Sequence, residues 1–211
     1  MSEYSFSKKV KFVPWIGELY SEQDPRVLIL GESVNNADKK LSRNIAKELV
    51  YGLVHENWSH PFFSKIHDIY SNENHYSKTE NGEYVFNREE FWNSVVFYEY
   101  VQEVLEGARI RPTQEQWDKS KDPFIEVISK LVPNIVIALG FENYTNLPLL
   151  GVEAKPIKVG ENIMEIWKYT IQNNNIFVCK TMHPSAPGFS KDKWIKLYEK
   201  FLIAYKKGVY K

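Results

Sequence analysis

An α/β layered fold with a mainly parallel central sheet is predicted for this 211-residue chain by three short apolar runs, Arg26 to Leu30, Ile135 to Leu139 and Ile176 to Cys179, separated by stretches of helical length. Continuous runs of Val, Ile and Leu are what strands buried on both faces look like. The first ends at Gly31 and the second at Gly140. With 43% hydrophobic residues the chain can bury one sizeable core, so a single domain over residues 1–211 is expected, with its core at about 26–205 and an extension over 1–25.

After the first strand, Asn36 or Asp38 is placed to cap a helix carrying Leu41, Ile45, Leu49 and Leu53 on one stripe. Pro61 opens a second helix with Phe62, Ile66 and Ile69 inward. The polar stretch Ser71 to Gly82 reads as a mobile loop. Asn87 with Glu90 gives a capping-box pattern ahead of Phe91 and Trp92, and Val95 to Tyr98 then reads as a strand. Thr113 with Gln116 repeats the cap before a helical stretch to Leu131, which Pro123 is expected to kink or divide. Ser190 caps a last helix whose Trp194, Leu197, Tyr198, Phe201, Leu202 and Tyr205 recur at helical spacing.

No stretch approaches the roughly 20 apolar residues that span a bilayer, and the first residues lack the apolar core of a signal peptide. A cytoplasmic protein without a membrane role is expected. The lone Cys179 excludes an internal disulfide and a cysteine-built metal site within one chain. His55, His60, His67 and His75 lack a zinc spacing and read as scattered surface residues, so no metal is expected. A net charge of zero argues against a wide electrostatic grip on nucleic acid, leaving local patches such as Lys191, Lys193, Lys196, Lys200, Lys206 and Lys207. The same lysines also fit the solvated face of a helix.

In a parallel sheet, ligands gather outside the carboxyl ends of the strands, where Gly31-Glu32-Ser33 and His183-Pro184-Ser185 are both predicted to lie. Gly31 suits a sharp turn or a close approach to a ligand. Glu32 is placed either to orient or deprotonate a water or to cap the next helix. Pro184 holds His183 extended, and its imidazole can donate to an oxygen that gains charge as a bond breaks. In the following loop, Ser185 suits a phosphate contact and Phe189 suits insertion into a base stack.

In order and spacing, Gly31-Glu32-Ser33, the stretch Phe91 to Gln102, the stretch Pro133 to Gly140 and His183-Pro184-Ser185 resemble the uracil-DNA glycosylase superfamily. The resemblance extends from about Arg26 to Tyr205. It implies a three-layer α/β/α sandwich, DNA as partner, base flipping into a pocket, and hydrolysis of the N-glycosidic bond by a monomer without cofactor. It also implies that Glu32, helped by Asn35 or Asn36, positions water, that His183 stabilises the departing base, and that Ser185, Phe189 and Lys191 hold and distort DNA.

Two departures bear on the substrate. Val34-Asn35-Asn36 stands where uracil-reading branches carry an aromatic wall, and Glu99, beside Tyr98, stands where an Asn commonly reads the base. An ionised Glu only accepts hydrogen bonds, which suits the amino group of cytosine. A cytosine modified on carbon 5, such as glucosylated hydroxymethylcytosine of viral DNA, is therefore the expected substrate, in antiviral defence. Uracil repair, with Glu99 pointing to solvent or pairing with a Lys, is the alternative, and an inactive nucleic-acid-binding protein is the third. Gly31, Ser33, Glu99 and Tyr98 are the expected substrate contacts. Trp58, Phe62, Phe63 and Tyr98 are the candidates for the ring that stacks on the base.

Overall fold

The computed structural model describes residues 4–36, 41–107 and 109–210. The elements in chain order are β1 (Trp15–Ile16), β2 (Val27–Gly31), α1 (Ile45–His55), α2 (Pro61–Tyr70), β3 (Tyr76–Lys78), β4 (Tyr84–Phe86), α3 (Arg88–Ser94), β5 (Val95–Glu99) and α4 (Gln114–Leu131). There follow β6 (Ile135–Leu139), α5 (Phe141–Thr145), β7 (Val152–Glu153), β8 (Ile157–Val159), β9 (Asn162–Met164), β10 (Ile166–Ile171), β11 (Asn174–Thr181) and α6 (Lys191–Lys206).

A seven-stranded sheet in the order β1-β5-β2-β6-β11-β10-β7 runs through the molecule. Its four central strands, β5, β2, β6 and β11, are parallel, and the outer strands β1, β10 and β7 are antiparallel additions. Successive side chains of a strand turn to opposite faces, and each face is filled. Ile29, Phe97, Ile137 and Cys179 pack with residues of α1, α2, α3 and α6, whereas Leu28, Leu30, Val96, Tyr98 and Val136 pack against Phe124, Val127, Ile128 and Leu131 of α4. The three apolar runs are thus neighbouring buried strands, β2, β6 and β11.

Local signals explain several boundaries. Asn87 accepts from the amides of Glu89 and Glu90, Thr113 and Gln116 complete a capping box, and Ser190 accepts from the amide of Lys193. Each cap satisfies helix-end donors, worth about 1 kcal/mol. Pro123 does not divide α4: the helix runs unbroken from Gln114 to Leu131. Its neighbours Phe124, Val127 and Ile128 are fully buried, and that packing offsets the missing backbone hydrogen bond.

Other expectations are corrected. The helix after β2 begins at Ile45 behind Asn44, so Leu41 precedes it, and the amide of Asn36 instead donates to the carbonyl of Leu105. Asp38 lies outside the described residues. The stretch Ser71 to Gly82 is structured: Asn72 and His75 cap each other around a 3₁₀ turn, and β3 pairs with β4 as an exposed hairpin. His67 and His75 are buried rather than scattered on the surface. The segment read as an N-terminal extension supplies the buried Val10, Phe12 and Tyr20 and pairs β1 with β5. Among the described residues, no helix is long and apolar enough to cross a membrane.

Candidate active site at the carboxyl ends of the parallel strands

The chain starts the parallel sheet at β2, adds β5 on one side and then crosses to place β6 on the other. Between β2 and β6 the strand order therefore reverses, which opens a crevice at their carboxyl ends. Glu32 leaves β2 there, and Gly140 ends β6. Gly140 has φ of +112°, and a β-carbon on it would lie 3.3 Å from Glu32 Oε2 and 3.8 Å from the His183 β-carbon. The two tripeptides, distant in sequence, thus meet around one glycine. Asn143, on the first turn of α5, braces this point by donating through Nδ2 to the carbonyls of Leu30, Gly31 and Leu139.

Glu32 has a side chain only 12% exposed, with Oε1 3.5 Å from Arg111 Nη1. The same guanidinium nitrogen lies 3.2 Å from Glu142 Oε2. Burial raises the Glu32 pKa, the Arg111 charge opposes that rise, and Glu142 adds to it. A desolvated carboxylate beside a largely exposed arginine can accept a water proton, because its basicity exceeds that of a free glutamate.

His183 accepts at Nδ1 from the amide of Ser185, at 3.1 Å. The neutral ring then carries its proton on Nε2. Burial lowers the His183 pKa first, and the charges of Arg111 and Lys65 lower it further, so the neutral form is favoured. Lys65 also donates to the Pro184 carbonyl at 2.6 Å, fixing the turn. Of the four candidate stacking rings, Phe62 is the one beside His183, with centroids 5.2 Å apart. Phe63 packs in the core with Trp92 and Phe97, and Trp58 covers Gly52.

Glu99 is buried, 6% exposed, directly across the parallel ladder from Gly31. A β-carbon at position 31 would collide with the Glu99 carboxyl, so a larger residue there would force this side chain to move. Among the described residues, Oε2 of Glu99 has no hydrogen-bond partner. Burial, and then the charge of Glu32, push its pKa up to about 8. Burial without a cation among the described residues thus disfavours the ionised, accept-only Glu99 expected from the sequence.

Other predicted contacts fall differently. Tyr98 alternates with Glu99 and turns to the opposite face, fully buried among the α4 residues, which removes it from the substrate contacts and from the stacking candidates. Phe189 is half-buried against the core with Lys65 Nζ 5.0 Å from its ring centroid, so it is not a free apolar tip. Lys191 pairs with Asp68 at 2.9 Å. Ser33 is half-buried, Ser185 is exposed, and Asn35 is exposed with its backbone bridged to Leu105. The side chains that reach Glu32 and Gly31 from elsewhere, Arg111 and Asn143, carried no motif that marks them in the sequence. Among the described residues, no group of three or more His, Cys, Asp or Glu is arranged to hold a metal ion. No family model matches the chain, and no curated protein matches it in sequence.

Proposed function

We propose that this chain is a monofunctional DNA glycosylase with a three-layer α/β/α architecture like that of uracil-DNA glycosylases, hydrolysing the N-glycosidic bond of a flipped pyrimidine. The observation that carries this reading is the meeting of Glu32 and His183 around Gly140 at the reversal of strand order.

The C1′–N1 bond breaks with its electron pair moving into the base, and the Nε2–H of His183 donates to the carbon-2 oxygen where that charge collects. Water attacks C1′ and gives its proton to Glu32, and the departing base is then protonated, leaving an abasic sugar. Phe62 stacks on the extruded ring, and Glu99 meets its edge. A cytosine bearing a group on carbon 5 is the favoured substrate, supported by the Ser33 to Asn36 segment, which brings no aromatic side chain against that carbon. Uracil is the second reading, supported by the uncharged Glu99, which resembles an amide in hydrogen-bonding capacity.

Purified protein incubated with DNA containing uracil, cytosine, hydroxymethylcytosine or glucosylated hydroxymethylcytosine, with released bases measured by mass spectrometry, tests the reading. Wild type is expected to release one of these bases and leave alkali-labile sites, while Glu32→Gln and His183→Ala bind DNA and release none. Absence of release from every substrate, single- or double-stranded, rejects the glycosylase reading.

A further inference from the structure

The Glu99 carboxyl is more than nine-tenths buried, and its Oε2 is unpartnered. Buried polar atoms in folded proteins nearly always have partners, and this one lies at the carboxyl end of a parallel strand, where the edge of a ligand can supply one. Among the described residues, the charged groups around it offer no free cation. Glu32, beyond Gly31, is an anion, and Arg111 is occupied between Glu32 and Glu142. Asn143 spends its amide hydrogens on the carbonyls of Leu30, Gly31 and Leu139, and Gln102 donates to the backbone carbonyl of Glu99, not to its carboxyl.

We infer that Glu99 meets its ligand as an uncharged carboxylic acid, one oxygen donating and the other accepting, so that the site takes a ring edge bearing a hydrogen-bond donor beside an acceptor. This rests on the glycosylase reading for the identity of the ring as a nucleobase. A carboxylic acid can pair with N3 and the amino group of cytosine, and by moving its proton to the other oxygen it can pair with N3–H and O4 of uracil. Glu99 by itself then does not discriminate between these two bases. The burial that keeps the acid form also raises its pKa to about 8, so the recognition weakens in alkali.

Glu99→Gln supplies a donor and an acceptor at the same place without a titratable proton. It is expected to release base within about tenfold of the wild-type rate at neutral pH, and to lose the fall in rate that wild type shows as pH rises through about 8. Glu99→Ala is expected to lose about 10- to 100-fold, since the ligand's polar edge is then left unpaired. A folded Glu99→Gln with activity as low as Glu99→Ala at every pH overturns the inference, because only an ionised acceptor would then serve.

A second measurement does not depend on catalysis. In wild type labelled at glutamate carboxyl carbons, with the Glu99 signal assigned by its loss in Glu99→Gln or Glu99→Asp, the resonance is expected to titrate near pH 8 and to shift to lower pH in Glu32→Gln. A Glu99 found ionised at pH 6 rejects the inference even in an active glycosylase. Failure of wild type to release any base, with Glu99 still protonated, rejects the glycosylase reading and leaves the uncharged acid standing.

Discussion

The amide of Ser185 donates to Nδ1 of His183 across 3.1 Å, and this one bond decides which nitrogen of the candidate catalytic imidazole holds the proton. A ring that accepts at Nδ1 must carry hydrogen on Nε2, the nitrogen left to face a ligand. Burial and two neighbouring cations push its pKa below the usual histidine value, so it stays neutral where a free histidine begins to protonate. Nitrogen-detected NMR of the labelled protein at about pH 6.5 should show His183 with protonated Nε2 and bare Nδ1. An imidazolium, or the opposite tautomer, would remove the proposed donor.

In the proposed reaction, Glu32 is expected to supply the acid limb of the pH–rate profile. Its pKa is raised by burial, so the rate is expected to fall, as pH is lowered, before an ordinary glutamate would protonate. Arg111→Ala removes the charge that restrains this rise, and the limb should move to higher pH. The guanidinium is largely exposed, which limits the loss at neutral pH to about two- to fivefold. By contrast, Glu32→Gln should cost about 10²–10⁴-fold above the acid limb, with the gap to wild type narrowing as Glu32 protonates. An unmoved acid limb in Arg111→Ala would sever the link between these two residues.

Phe62 and Trp58 separate stacking from bulk aromatic content. Loss of a base-stacking ring costs roughly 1–3 kcal/mol, or about 5- to 150-fold. Phe62→Ala should show this mainly as weaker binding of substrate, whereas Trp58→Ala should alter substrate binding less than twofold. Equal losses from the two variants would show that proximity of Phe62 to His183 has no bearing on recognition.

The buried His67 and His75 tie stability to pH. Burial lowers both to about 4 in the folded protein, so the unfolded chain binds more protons as pH falls below about 6.5. Stability is therefore fully present above that value and lost between about 6.5 and 4, by on the order of 3 kcal/mol for each residue. His67 leaves Nε2 unpartnered, which makes His67→Phe the informative variant. Urea unfolding at a series of pH values should give it a shallower acid decline than wild type, and an identical decline would clear His67 of the effect.

The sequence displayed the parts of this fold whose environment is uniform. β2, β6 and β11 are covered on both faces, so they stand out as apolar runs, and α6 shows a stripe because one of its sides meets the core. The hairpin β3–β4 is mostly exposed and too short to alternate visibly, and the edge strands β1 and β7 have two residues each. The site was half legible. Glu32 and His183 sit at strand ends that apolar runs mark, but Arg111 approaches from a loop with no pattern, and Asn143 acts through carbonyls of two other elements. The charge state of Glu99 depends on what surrounds it after folding, so residue identity alone suggested an anion where burial disfavours the charge.

Glu32 and His183 are carried by strands that are not neighbours; β6, ending in Gly140, lies between them. A growing polypeptide displays the glutamate long before it has made the histidine, and the two can face each other only once β11 has slotted in beside β6. The proposed chemistry is thereby withheld from every incomplete product of synthesis or nicking, and a chain cut within the exposed Leu149–Leu150 segment would regain it only by the two pieces reassembling.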